Sequence, residues 1–235
     1  NYGRKHTVNM GGSNNRIFNC YIHDNNAWET GGGIVVYTNS AIIENCLIVN
    51  NNGGGITTYR DDTVINYCTI ADNDDFGCFI WCYGSSADLY ITNSILTNNQ
   101  TEFKMLQTGN NVATAHIRHS VVEGGIDYNW VSVYKQFDVD STLFYLDPNL
   151  DSLFHLHNNS GGIGSGVVSY DWDDFVVEST EIDLDFFTRP FPDGSQPDLG
   201  CYENILGSPE PIPGCTDDMA CNYNDTATYD DNSCM

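Results

Sequence analysis

The stretch IFNCYIHDN at residues 17–25 returns as IENCLIVNN at 43–51, INYCTIADN at 65–73 and ITNSILTNN at 91–99. A fifth copy, IRHSVVEGG at 117–125, keeps the apolar positions and loses the final Asn. Successive copies begin 26, 22, 26 and 26 residues apart. Tandem units of this length predict a solenoid, because each unit must stack on its neighbours to bury its apolar side chains.

Two positions of the unit predict internal columns. Its first residue is always Ile, which is expected to stack on Ile of the next coil, and its ninth is Asn in the first four copies. Stacked Asn side chains can pass amide hydrogen bonds from coil to coil. The predicted structural ladders are therefore Ile17, Ile43, Ile65 and Ile91 in one column, and Asn25, Asn51, Asn73 and Asn99 in the other.

A second block recurs as GIVVY at 33–37, GITTY at 55–59 and GCFIW at 77–81, which predicts an aromatic column of Tyr37, Tyr59 and Trp81. Short β-branched runs separated by Asn, Asp and Gly indicate strands and turns, and helical periodicity is absent. We interpret residues 101–113 as a loop. The Ile and the Cys or Ser three residues later are both expected to point inward. In a straight strand, inward residues are separated by an even number of positions, so a corner must lie between these two.

These features predict an all-β chain, a parallel β-helix of about five coils of 22–26 residues, followed by an irregular acidic β segment and a small Cys-bounded module. A leucine-rich repeat is the nearest competing architecture, but its Leu frame is missing. The units resemble the right-handed parallel β-helix repeats of secreted pectate-lyase-like proteins, over roughly residues 7–126. That resemblance implies the fold and leaves the activity open, because the shared residues are structural.

Two later segments resemble other secreted proteins. Phe144 to Glu203, with Asp147-Pro148, Arg189-Pro190 and PDLGCYE at 197–203, resembles the closing segment of bacterial β-helix proteins anchored at the cell surface. Residues 214–234, which begin GCTD and end DDNSC, are similar to a Cys-bounded repeat of marine bacterial proteins exported by type IX secretion. Both resemblances imply a secreted, cell-surface protein.

The expected organisation has four parts. Residues 1–126 are β-helix coils, 127–207 an acidic closing segment packed on the helix end, 208–213 a Pro-rich linker, and 214–235 the Cys-bounded module. We interpret the chain as the C-terminal stretch of a longer protein, with more coils or another subunit upstream. Cys215 and Cys234 are expected to form a disulfide, since their small module has too few apolar residues to hold together alone.

The charge balance excludes some partners. Eight basic and 32 acidic residues give a net charge of −24, which disfavours nucleic acid and anionic membrane surfaces. No apolar run is long enough to cross a bilayer. Nine cysteines in this acidic chain suggest an oxidising, extracellular compartment.

Carboxylates supply the candidate chemistry. Asp24 and Asp72 share one column two coils apart, roughly 9.6 Å, which is near the upper limit for an inverting glycosidase pair. Asn50 and Asn98 alternate with them, so turn capping explains the column as well. With Asp74, these two residues form the alternative catalytic set.

Acidic loops are candidates for calcium, because hard cations prefer oxygen ligands. The candidate ligands are Asp72, Asp74, Asp75, Asp171, Asp173 and Asp174. None of these loops has the spacing of an EF-hand, so solvated turns are the competing explanation.

The expected function is a non-catalytic extracellular module: a surface stalk, adhesin or filament component that contacts glycans or neighbouring copies and binds Ca²⁺. The alternative is a carbohydrate-active β-helix enzyme, either a glycoside hydrolase or a polysaccharide lyase. A passive spacer that carries a sorting region is a third interpretation.

Overall fold

The computed structural model describes residues 8–12, 14–27, 32–37, 40–59, 62–82, 84–126 and 132–235. Within these ranges the chain forms strands and turns and no helix, so no helix there is long and apolar enough to cross a membrane. Short strands are expected from the sequence, since Asn, Asp or Gly interrupts every β-branched run.

The strands form three parallel sheets, and most coils contribute one strand to each sheet. Sheet A contains β1 (Val8–Met10), β4 (Ile34–Val36), β7 (Ile56–Thr58), β10 (Cys78–Cys82) and β13 (Phe103–Gln107). Sheet B contains β2 (Arg16–Phe18), β5 (Ile42–Glu44), β8 (Thr63–Asn66), β11 (Ala87–Thr92), β14 (Ala113–Arg118) and β16 (Lys135–Val139). Sheet C contains β3 (Tyr21–His23), β6 (Leu47–Val49), β9 (Thr69–Ala71), β12 (Ile95–Thr97), β15 (Ser120–Val122) and β17 (Leu143–Phe144).

Each strand pairs with the strand of the same sheet in the next coil, so the chain winds into a right-handed parallel β-helix of about five turns, as the repeat predicts. The first Ile of each repeat lies in one register along sheet B. That inward column consists of Ile17, Ile43, Ile65, Ile91, Ile117 and Val139. Ile43, Ile65 and Ile91 are fully buried, and such burial stabilises the stack by roughly 1.5–3 kcal/mol per side chain.

The corner between sheets B and C lies where the change of parity predicts it. Its residues adopt the left-handed conformation, with φ of 54° at Asn19, 49° at Asn45, 50° at Tyr67 and 53° at Asn93. Asn tolerates this region well, whereas Tyr does not. At Tyr67 burial offsets the strain: the ring is fully buried, and its hydroxyl donates to the Val167 carbonyl at 2.6 Å.

The Asn ladder is continuous. Asn51 donates through Nδ2 to Asn73 Oδ1 at 2.9 Å, and Asn25 donates in the same way to Asn51. Asn73 in turn donates to Asn99 Oδ1 at 2.9 Å. Each rung therefore ties one turn of the helix to the next with a side-chain hydrogen bond, which is fully buried between Asn51 and Asn73. The ladder ends at Glu102, whose carboxyl accepts from Asn99.

The loop predicted for residues 101–113 is wrong over residues 103–107. Phe103–Gln107 forms β13, which pairs in parallel with all five residues of β10 and adds a fifth strand to sheet A. The Gly-aromatic block of the earlier units is missing here, so local sequence gave no strand signal. Pairing with an exposed neighbouring strand supplies the backbone hydrogen bonds instead.

Coil stacking continues beyond residue 126, because β16 pairs with β14 and β17 pairs with β15. Later residues lie along the outer face of sheet C and of the B–C corner. Leu199 packs on Ile95 and Val121, and Cys201 packs on Leu47. A second layer therefore covers outward apolar residues of sheet C, among them Leu47, Ile95 and Val121. The exact domain boundaries stay a prediction.

Two small strand pairs complete the described chain. The antiparallel hairpin of β18 (Ser169–Asp171) and β19 (Val176–Glu178) lies beside sheet B, and β20 (Pro213–Gly214) pairs with β21 (Tyr229–Asp230) in the C-terminal module. Cys215 and Cys234 form a disulfide that closes this module, as the sequence predicts.

Candidate functional site

The outer face of sheet B carries a column of six unlike side chains. Successive residues of a strand point to opposite faces, so the neighbours of the buried Ile column face outward. In register from coil to coil, these outward residues are Arg16, Ile42, Val64, Tyr90, His116 and Asp138. Apolar and aromatic groups therefore occupy the middle of the column and charged groups occupy its ends.

A groove of about 600 Å³ follows this column. Ile42, Val64 and Tyr90 form its floor, and Arg16 lies at one end. One wall consists of residues that precede the sheet B strands, namely Asn14, Asn15, Ser40 and Asp62. The other wall is the turn of the β18–β19 hairpin, with Asp174, Phe175 and Val176. An apolar floor with a polar rim is the usual composition of a ligand site. We call this feature the sheet B groove.

Arg16 contributes little free charge to the groove. Its guanidinium binds Glu44 in the next coil, with Nη2 2.5 Å and Nε 2.8 Å from Oε2. Glu44 is buried and also accepts from Asn66 Nδ2 at 3.2 Å. Arg16 is therefore neutralised where it enters the groove.

A stacked aromatic pair closes the other end. The rings of Tyr90 and His116 are 4.6 Å apart and nearly parallel, with an angle of 8° between their planes. Phe175 and Trp172 of the hairpin meet Tyr90 edge-on at 5.0 and 5.2 Å. These contacts fix the hairpin against sheet B and give the groove a rigid end wall.

His116 lies between two carboxylates. Its Nδ1 is 2.9 Å from Asp138 Oδ2, and its Nε2 is 3.5 Å from Asp88 Oδ1. Burial alone lowers the pKa of His116, but the two carboxylates outweigh it and raise the pKa above its usual value. The histidine lowers the pKa of Asp88 and of Asp138 in return. Arg118 binds Asp138 at 3.0 Å and lies 5.3 Å from the Trp172 ring centroid. The arrangement is a set of ion pairs that anchors the hairpin.

A family comparison identifies the scaffold. The family model described as right handed beta helix region matches residues 2–122, which is just over half of the chain. The chain belongs to this family. Comparison with curated proteins and with solved structures gave no match. Membership in the right-handed beta-helix family accounts for the stacked coils, while the activity depends on side chains that the family pattern does not fix.

In this β-helix protein the alternative catalytic residues lie at turns. Asp24 and Asp72 both adopt the left-handed conformation, with φ of 52° and 53°. Asn50 and Asn98 adopt it at the equivalent positions, with φ of 55° and 53°. The column alternates Asp and Asn because these two residue types tolerate such a turn. Asp74 follows in the next turn, where its backbone N–H donates to the Asn51 carbonyl. None of the three lines the sheet B groove.

The acidic loops do not converge on a metal site. In the part of the chain that the structure describes, no three His, Cys, Asp or Glu side chains are arranged to hold a metal ion. Asp75 binds Lys104 Nζ at 3.2 Å instead. Asp171 accepts from the backbone N–H of Asp173 at 2.9 Å, within the hairpin turn. Calcium binding by Asp72, Asp74, Asp75, Asp171, Asp173 and Asp174 stays a prediction from the sequence.

The aromatic column on sheet A is a stack within the protein. The rings of Tyr37 and Tyr59 are 4.7 Å apart with 13° between their planes, and Tyr59 and Trp81 are 5.3 Å apart. Because the ring faces are directed at one another, mainly ring edges are left for solvent. The column contributes to coil stacking, and it is a poorer platform for a sugar ring than the sheet B groove.

Three thiols continue one inward column, as their repeat positions predict. Cys20, Cys46 and Cys68 are free, and the serines that follow them are also buried. Ser94 Oγ accepts from the Cys68 backbone N–H at 3.1 Å. Burial raises the pKa of Cys68 well above its usual value, so this thiol is unreactive.

The closing segment holds a buried charge network beside Tyr67. Arg189 Nε lies 2.9 Å from Glu203 Oε1, and both side chains are fully buried. The guanidinium carbon is 3.9 Å from the Tyr67 ring centroid. Burial raises the pKa of Asp198 to about 7, although its carboxylate accepts from the backbone of Gly164 and Asn204. This network attaches the segment to the coils.

Sequence reasoning missed the groove, although it singled out one wall residue, Asp174, as a candidate calcium ligand. Tyr90 and His116 each directly precede an Ile of the internal column, a position that faces outward, and that spacing is the signal that could have placed them. The wall at Asp174 and Phe175 comes from more than 80 residues later in the chain, and no repeat connects it with sheet B.

Proposed function

We propose that this protein is an extracellular, non-catalytic glycan-binding module in which the sheet B groove holds the ligand. The observation that carries the proposal is the composition and course of the groove, with its floor of Ile42, Val64 and Tyr90 in register across three coils. Parallel coils are about 4.8 Å apart, so the groove repeats its contacts at regular intervals along the helix axis. An extended polymer matches such a surface better than a compact small molecule.

Glycan chemistry suits the two kinds of group that line the groove. Sugar rings have apolar faces formed by C–H groups, which can pack on Ile42, Val64 and the aromatic end wall. Their hydroxyl groups both donate and accept, and the amides of Asn14 and Asn15 can satisfy both roles. The rigid coils hold the binding surface in place, which lowers the entropy cost of binding.

The charge state of the nearby acids supports binding without turnover. A glycosidase needs one carboxyl group that stays protonated to act as general acid. Next to the groove, the His116 contact lowers the pKa of Asp88 and of Asp138, so both remain ionised near neutral pH. The carboxyl of Glu102, whose burial raises its pKa to about 7, is bonded to Asn99 at the end of the Asn ladder.

Blocking the groove tests the proposal. Ile42 is 37% exposed and faces outward, so Ile42→Arg fills the floor without disturbing the core. The matched control is Leu146→Arg, an equally large change at a residue that is 79% exposed and outside the groove. On a glycan array the parent protein and Leu146→Arg should bind the same glycans, and Ile42→Arg should lose them. Equal binding by all three proteins, or no binding by the parent, contradicts the proposal.

An enzyme that acts on carbohydrates is the second candidate, favoured by the position of His116 between Asp88 and Asp138 at the end of the groove. This candidate predicts that bound oligosaccharides are cleaved and that His116→Ala abolishes cleavage. The non-catalytic proposal predicts intact oligosaccharides after prolonged incubation. Product analysis by mass spectrometry separates the two.

The extracellular location is supported by the disulfide of Cys215 and Cys234. A surface stalk or adhesin is the setting that we propose for the protein. Protease accessibility of the protein on intact cells tests the location directly.

A further inference from the structure

The sheet B groove has acidic side chains on both walls that no cation of the described chain neutralises. Asp62 lies on the wall formed by the corners before the strands, and Asp174 lies on the opposite hairpin wall. Both residues are exposed, and neither forms an ion pair in the described chain, whereas Arg16 is already bound by Glu44. Among the described side chains that line the groove, the charged groups without an ion-pair partner are therefore carboxylates.

The residues around the groove also carry an excess of negative charge. At the closed end, His116 and Arg118 face three carboxylates, those of Asp88, Asp138 and Asp140. The protein as a whole has a net charge of −24, which repels polyanions at long range.

Building on the proposed function, we infer that the sheet B groove selects glycans that carry protonated amines, and that Asp62 and Asp174 are the residues that select them. An ammonium group on a sugar ring above Ile42 and Val64 can bind a carboxylate on either wall while the ring stays on the apolar floor. A uronic acid polymer meets the same carboxylates with like charge, which costs binding energy.

The test compares three hexasaccharides of similar size by titration calorimetry: β-1,4-linked glucosamine, its fully N-acetylated form and galacturonic acid. The measurement is made at about pH 6, below the pKa of an aliphatic amine. The glucosamine hexamer should bind most tightly. Added salt should lower its affinity, since exposed charge pairs are screened. The galacturonic acid hexamer should bind most weakly.

Charge-removing variants assign the selectivity to residues. Asp62→Asn suits the left-handed conformation at this position, where φ is 61°. Each of Asp62→Asn and Asp174→Asn should lower the affinity for the glucosamine hexamer about threefold. The double variant should lower it about tenfold, as expected for exposed charge pairs. Affinity for the N-acetylated hexamer should not change. The matched control is Asp193→Asn with Asp218→Asn, which removes two exposed carboxylates outside the groove and should leave all affinities unchanged.

The outcomes separate this inference from the proposed function. Equal affinity for the glucosamine and N-acetylated hexamers, or tighter binding of galacturonic acid, overturns the inference and leaves glycan binding intact. A double variant that keeps the parent's preference also overturns it. Binding of oligolysine more tightly than any saccharide assigns the groove to a basic peptide and overturns both proposals. No binding of any hexasaccharide at millimolar concentration contradicts the proposed function itself.

Discussion

Asn99 donates to Glu102 through both its side chain and its backbone, with Nδ2 2.6 Å from Oε2 and the backbone N 3.1 Å from Oε1. In the preceding coils the acceptor at this place is the Asn of the next coil, such as Asn99 for Asn73. Glu102 therefore takes the place of a fifth Asn, at the point where Gly125 breaks the sequence column. Glu102 is 9% exposed, with Glu123 and Asp72 nearby.

This relationship predicts a pH dependence of stability. Burial raises the pKa of Glu102 to about 7, so the folded protein holds this proton more tightly than the unfolded chain does. The group's stabilising contribution is present below its ordinary pKa of about 4.3 and is lost as pH rises through about 7. Between about pH 5 and pH 8 the free energy of unfolding should fall more steeply in the parent than in Glu102→Gln, by at most a few kcal/mol.

Chemical denaturation at several pH values measures that difference. Other groups titrate in both proteins, so the comparison isolates Glu102. Parallel pH profiles for the parent and Glu102→Gln would mean that the Glu102 carboxyl is not the titrating group.

The Asn ladder predicts a large difference between two adjacent asparagines. Asn51 is fully buried; it donates to the Ile22 carbonyl and to Asn73, and accepts from Asn25. Asn51→Ala leaves several of these groups without partners and should cost about 3 kcal/mol of unfolding free energy. Asn52→Ala, at the exposed neighbour, should change stability by no more than about 0.5 kcal/mol. Urea denaturation measures both, and similar losses would contradict a specific role for the ladder.

The turn positions predict which changes Asp72 tolerates. Asn fits the left-handed conformation and Ala does not, so Asp72→Asn should keep the unfolding free energy while Asp72→Ala lowers it by about 1 kcal/mol. Both variants should keep full glycan binding. If the parent cleaves a glycan and Asp72→Asn does not, while stability is unchanged, the Asp72 carboxyl has a chemical role instead.

The hairpin beside the groove should loosen as His116 loses its proton. The raised pKa of His116 means that its ion pairs stabilise the fold below the ordinary pKa and are lost as pH rises through the folded pKa. Hydrogen exchange of residues 169–178 should therefore speed up between about pH 6 and pH 9, after correction for the intrinsic rate. His116→Phe keeps an aromatic ring beside Tyr90 and should remove this dependence, whereas His157→Phe, at an exposed site outside the groove, should retain it.

The scaffold was predictable and the groove was not, for a physical reason. Internal columns repeat one residue type because each coil offers the same cavity to its neighbour, and this produced the Ile and Asn ladders and the corner. The outward column that includes Arg16, Val64 and Tyr90 contains six different residues, since solvent imposes no common shape. Strand β13 was missed because pairing, and not local sequence, determines it. The hairpin wall was missed because residues 169–178 lie far from sheet B in the sequence.

A crystal structure of the protein with an oligosaccharide selected on the glycan array tests the account most directly. The account predicts an intact saccharide along the helix axis, with ring faces on Ile42 and Val64 and its end against Tyr90. A saccharide bound on another surface, or a cleaved product beside His116, would contradict it.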